Sequence, residues 1–176
     1  MEIQLHDKQF VPFLSAKEID DAIAKMANKV AADMGEETPV FVGVLNGAFM
    51  VVSDFMKHYP KPCEVSFVKM ASYEGMETTH EVKQLIGLNQ DITGRTVVII
   101  EDIVDTGNTV VELQKMFQDR NVKQLKFATL FLKPEAYDKD ITIDYIGLEI
   151  PNKFIVGFGL DYDGLGRNIP EVYQLK

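Results

Sequence analysis

Of 176 residues only one, Cys63, is a cysteine. No internal disulfide can form, no cysteine metal cluster is available, and a reducing compartment fits. Basic residues are scarce too: 18 Lys and Arg stand against 27 Asp and Glu, a net charge of −9. Binding to nucleic acid or an anionic membrane needs a basic face, so the total argues against both, although a local basic pocket is compatible with it. Long apolar runs are missing, and nothing approaches the roughly 18 residues of a membrane span. The opening MEIQLHDKQF has the form of neither a signal peptide nor a transit peptide. The chain therefore reads as cytoplasmic. There is no internal repeat, no low-complexity tract and no linker. His80 has no metal partner at useful spacing, since His6 and His58 are far away in sequence. What is present, 46% hydrophobic and 26% charged residues, suits a single soluble domain over 1–176.

The most informative stretch is residues 97–110, VVIIEDIVDTGNTV. Val97 to Ile100 is a β-branched run without a polar gap, as in a strand buried on both faces of a parallel sheet. It ends in Glu101 and Asp102. Asp105 follows after two apolar residues, then Thr106, Gly107, Asn108 and Thr109, and then VVELQKMFQDR, which reads as a helix. Ligands of open α/β sheets bind at the carboxyl ends of strands. A helix start offers unpaired N–H groups and partial positive charge, which suits a phosphate. Gly107 lets the backbone come close, and Thr106 and Thr109 add hydroxyl donors. Glu101 and Asp102 can accept hydrogen bonds from two vicinal ribose hydroxyls, directly or through Mg²⁺. Asp105 is left to handle a proton. Any one of these acids alone reads equally well as a solvated strand end. The whole arrangement does not.

The remaining chain supplies an α/β pattern. Residues 9–13 are expected to be extended. A helix starts at Ser15, with Glu18 completing a capping box, and Ile19, Ile23, Met26 and Val30 follow at helical spacing. Gly35 ends it. Residues 39–45 form a buried strand that feeds a helix, residues 49–59, through Asn46-Gly47-Ala48. That turn is either a second anion site or a plain tight turn. Residues 64–71 read as a strand, and 81–88 as its return. Between them SYEGMETTHEVK is a polar loop of a size that is usually functional or disordered, and it reads equally well as an ordinary hairpin tip. Residues 123–132 form a buried strand ending at Lys133, a placement that suits donation to a ligand but equally a snorkelling surface lysine. Residues 144–150, 154–159 and 171–176 are short strands. Taken alone, Phe154 reads as core, and Asp161 and Arg167 as surface.

The run EDIVDTGNT resembles the 5-phosphoribosyl-1-pyrophosphate (PRPP) signature of type I phosphoribosyltransferases. The flanking segments, above all EIPNKFIVGFGLDYDGLGRNIPEVY, make the chain similar to hypoxanthine-guanine phosphoribosyltransferases in particular. The resemblance spans about residues 5–172. It implies a type I phosphoribosyltransferase fold, with a mainly parallel central sheet flanked by helices and a small hood made from both chain ends. It implies Mg²⁺-dependent transfer of ribose 5-phosphate from PRPP to hypoxanthine, and also guanine, in purine salvage. It further implies a homo-oligomer, dimeric or tetrameric. Carried over by position, Glu101, Asp102, Thr106, Gly107, Asn108 and Thr109 hold PRPP, and Asp105 moves a proton on the purine. Leu45, Asn46 and Gly47 bind pyrophosphate through backbone amides, with a cis peptide at Leu45–Asn46, and Arg167 joins them. Lys133 bonds the exocyclic oxygen of the purine, Phe154 stacks on it, and the main chain of Ile155 reads its edge. Asp161, with Glu101 and Asp102, attends the metal, and Ser72 and Tyr73 sit on a closing loop. Two departures stand out: Asn46 where Lys is common, and Asn108 where some members have Lys. A nucleic-acid-binding regulator on the same fold lacks a Lys/Arg cluster, and a phosphoacceptor module would draw its acids from separate strands.

Overall fold

The computed structural model describes residues 1–71, 83–86, 88 and 90–176. In chain order the elements are β1 (Ile3–Leu5), β2 (Lys8–Leu14), α1 (Ala16–Met34), β3 (Val40–Leu45), α2 (Phe49–His58), β4 (Glu64–Ala71) and β5 (Lys83–Ile86). They continue with β6 (Thr96–Val104), α3 (Asn108–Gln118), β7 (Gln124–Leu132), β8 (Tyr145–Glu149), β9 (Ile155–Val156) and β10 (Val172–Leu175). Ser15 caps α1 as the sequence implies: its hydroxyl accepts from the Glu18 amide, and the Glu18 carboxylate accepts from the Ser15 amide at 2.9 Å. Ile19, Ile23, Met26 and Val30 form the buried stripe, and Gly35 ends the helix at φ +55°.

The main sheet runs β5-β4-β3-β6-β7-β8. Its β4-β3-β6-β7-β8 portion is parallel, and β5 joins antiparallel at one edge. Both faces of the central strands β3 and β6 are covered, which is why these two read as apolar runs. Val98 and Ile100 pack with α1 and α2, and Val97 and Ile99 pack with α3. A buried Phe such as Phe55, wedged between Phe41 and Tyr59, contributes about 1.5–3 kcal/mol relative to exposure. The chain leaves β3 towards β4 on one side, and leaves β6 towards β7 on the other. The carboxyl ends of β3 and β6 therefore flank a topological switch point, where open α/β sheets bind ligands.

The second sheet, β1-β2-β10-β9, is the hood, built from both chain ends as the resemblance implies. It is antiparallel throughout and closes over Phe10, Val156 and Tyr173. Three sequence expectations change. β6 does not stop at Ile100 but runs through both acids to Val104, because β7 continues to pair beside it. The strand expected over 154–159 is cut to Ile155 and Val156, since Gly157, Phe158 and Gly159 all take positive φ. Phe154, read alone as core, is 45% exposed.

Candidate active site

The turn after β6 is built to leave a helix start open. Gly107 occupies the N-cap position of α3 at φ +83° and offers no side-chain cap. The first amides of α3 are thus free of the usual hydroxyl or carboxylate partner. Thr106, Asn108 and Thr109 are exposed around them. Glycine is needed for space as well as for its φ. A Cβ at position 107 would lie 2.4 Å from the Tyr137 ring. Tyr137 is itself pinned, its hydroxyl donating to the Ile141 carbonyl at 2.5 Å.

Glu101 and Asp102 are both buried at the carboxyl end of the sheet, 5% and 9% exposed. Glu101 Oε1 has no hydrogen-bond partner among the described residues. Burial, and secondarily the Asp102 charge, push the Glu101 carboxyl well above the ordinary carboxylate range. Burial also raises Asp102, to about 6, while backbone hydrogen bonds and the Arg167 charge pull the other way. A buried carboxylate without a full set of donors fits a site that takes ribose hydroxyls or a cation.

The loop after β3 lies against Asp102. The Leu45–Asn46 peptide is cis, as the resemblance implies. Gly47 is enclosed from two sides: a Cβ there would come within 1.7 Å of Asp102 Oδ2, and a Cβ at Gly159 would come within 2.1 Å of the Gly47 carbonyl. Ala48 caps α2 without a side-chain hydrogen bond. A cavity of 380 Å³ lies at the switch point, lined by Leu45, Gly47, Glu101, Asp102, Asn108 and Thr109 among others.

The proposed purine and pyrophosphate residues outside that cavity are held by contacts of their own. Lys133 is buried and donates from Nζ to Asp105 Oδ2 at 2.5 Å, so the lysine is no surface snorkeller. Its backbone amide also donates to the Val104 carbonyl, fixing the end of β7 against β6. Arg167 Nη2 pairs with Asp161 Oδ1 at 2.6 Å, and Nη1 donates to the Gly159 carbonyl that follows the Gly47 contact. Phe154 lies at the hood edge, while the Ile155 side chain is buried in the core and leaves only its main chain for recognition. Ser72 and Tyr73 fall outside the described residues. Sequence reading missed Tyr137, for which no motif exists. It also missed Val44, Met70 and Glu112, which line the cavity. Glu112 was findable, because it lies one helical turn beyond Asn108 on the same face. Among the described residues, no three His, Cys, Asp or Glu side chains converge on a metal position. That is compatible with Mg²⁺, which commonly takes one or two carboxylates and completes its shell with water and substrate phosphate.

Residues 14–163 match the phosphoribosyl transferase domain. The chain belongs to the phosphoribosyltransferase family. Its relatives include the hypoxanthine-guanine phosphoribosyltransferase of Streptococcus agalactiae serotype V, 44% identical over 161 residues, covering 89% of each chain. The Streptococcus thermophilus protein of the same name is 40% identical over 163 residues, 92% of this chain and 91% of its own. Among solved structures, a hypoxanthine phosphoribosyltransferase from Staphylococcus aureus superposes with a TM-score of 0.88 at 35% identity, covering 94% of this chain and 91% of the other. A Bacillus anthracis hypoxanthine-guanine phosphoribosyltransferase with HEPES in its active site gives 0.87 at 33% identity, covering 94% and 96%. The likeness therefore spans sheet, turn and hood together. No helix among the described residues is long and apolar enough to cross a membrane.

Proposed function

We propose that the protein transfers the 5-phosphoribosyl group from PRPP to hypoxanthine, and also to guanine, releasing pyrophosphate and forming IMP or GMP in purine salvage. The observation that carries this reading is buried Lys133, at the end of β7, paired with half-exposed Asp105 just after β6. A lysine donor suits the exocyclic oxygen of a 6-oxopurine and is mismatched to the amino group of adenine. Asp105 beside it accepts the proton released when the purine nitrogen bonds to the sugar. The open start of α3, with Thr106, Gly107, Asn108 and Thr109, holds the 5-phosphate. Glu101 and Asp102 hold the ribose hydroxyls, and their charge suits the cationic character the sugar gains as pyrophosphate leaves. The amides of the Leu45-Asn46-Gly47 loop and the Arg167 guanidinium receive the pyrophosphate. Glu101, Asp102 and Asp161 would hold Mg²⁺ together with the substrate phosphates, and the metal would supply positive charge to the leaving group. Phe154 stacks on the purine and the Ile155 main chain reads its edge. The family habit of dimers and tetramers supports a homo-oligomer, and Ser72 and Tyr73 are assigned to the closing loop.

The test is chromatographic. PRPP, Mg²⁺ and hypoxanthine should yield IMP and pyrophosphate in equal amounts, and EDTA should stop both. Pyrophosphate release without nucleotide would contradict transfer to the base.

A further inference from the structure

The hairpin turn between β1 and β2 lies outside the segment that matches the family domain, yet it grips the loop carrying Asp161. Tyr162 donates its hydroxyl to Asp7 Oδ1 at 2.8 Å, across 155 residues of chain. His6 Nε2 lies 3.2 Å from the Asp163 carbonyl and donates to it in the Nε2–H tautomer. His6 and Asp163 sit at φ +49° and +47°, a left-handed conformation that non-glycine residues seldom take. Two such residues meeting at one contact mark a junction that the fold holds in place. Leu5 fills the space beside Gly166, where a Cβ would approach its Cδ1 to 3.0 Å. Lys8 Nζ lies 5.6 Å over the Tyr162 ring.

Tyr162 in turn supports Phe154. Their rings meet edge to face with centroids 5.9 Å apart, and buried Phe10 lies 6.2 Å from each. Phe154 is half-exposed, so these neighbours hold one side of its ring and leave the rest open. The chain of contact runs from Asp7 to Tyr162 to Phe154. We propose that Asp7 is a positioning residue for the purine: its hydrogen bond fixes the Tyr162 ring, and that ring sets the orientation of Phe154 for stacking. This rests on the assignment of Phe154 as the stacking residue in the function proposed above.

The experiment compares kcat and both KM values in the wild type, Asp7→Ala, Tyr162→Phe and Asp7→Asn. Losing one ordinary hydrogen bond should raise the hypoxanthine KM about fivefold in Asp7→Ala and Tyr162→Phe. The PRPP KM should stay within about twofold, because its 5-phosphate and ribose sit on the α3 turn and β6 and the Arg167–Asp161 pair that faces its pyrophosphate does not depend on the Tyr162 hydroxyl. Asn keeps a side-chain carbonyl that can accept from Tyr162, so Asp7→Asn should restore most of the loss. The double variant Asp7→Ala/Tyr162→Phe should be no worse than either single one, since both remove the same bond. An unchanged hypoxanthine KM, or an equal rise in both KM values, overturns the proposal. A lowered melting point with no base-selective change reduces the contact to a structural one and overturns it too. A wild type that makes no nucleotide overturns the functional reading itself, and this inference with it.

Discussion

Asp102 carries its carboxyl where water is excluded, and stability should record that. Its folded value of about 6 lies above the 3.8 of an unperturbed aspartate. Between these values the folded state keeps a proton that the unfolded chain has released. Stability therefore falls as pH rises through this window, and the loss is complete above it. Asp102→Asn lacks the titration but keeps an oxygen for the Ile103 amide, which Asp102 Oδ1 now accepts at 3.0 Å. Melting in EDTA from about pH 4 to about pH 8 should show the variant gaining on the wild type up to about pH 7, then holding a constant difference. A difference that never changes with pH contradicts the burial account. Asp105 tests the chemistry. Asp105→Ala should lose about a hundredfold or more in turnover, while calorimetry still detects PRPP binding. Full turnover would end the proton-transfer assignment. Gly47→Ala should lower stability by about 1–3 kcal/mol or more in a urea melt, because the new methyl collides with Asp102.

The capped helix and the apolar strands were legible because local chemistry decides them. Ser15 and Glu18 announce the start of α1, and Gly35 its end. Ser15→Ala should therefore cost about 1 kcal/mol of stability by urea melt without changing activity. Equal stability would mean that the exposed cap contributes nothing. The end of β6 was not legible, since charge hid it. The strand's facing pattern changes phase at the two acids: Ile103 packs with the α1 and α2 side, and Val104 with the α3 side, out of step with Val98 and Val97. Strict alternation cannot anticipate that. The hairpin of β1 and β2 was half visible, as an extended run. Its turn uses left-handed His6 instead of glycine, so no turn signal marks it. Tyr137, closing over Gly107, is a tertiary contact with no local sign at all.

At the level of the molecule, the two sheets divide the labour. The parallel sheet opens a cavity at the β3/β6 switch point, and the loop after β9 sets Gly159 against Gly47 and brings the Asp161 and Arg167 charges near Asp102. The order of these groups along the chain was readable as a resemblance. Their convergence was not, because it depends on Gly47 meeting Gly159 and on Lys133 meeting Asp105. In the proposed function that last contact sets base choice. It is tested most directly by supplying hypoxanthine, guanine, xanthine, adenine and uracil separately, with PRPP and Mg²⁺, and measuring nucleotide by chromatography. The account predicts nucleotide from hypoxanthine and guanine and none from adenine or uracil. Adenine turned over as fast as hypoxanthine would contradict it, because adenine carries an amino donor where the buried Lys133 needs an exocyclic oxygen acceptor.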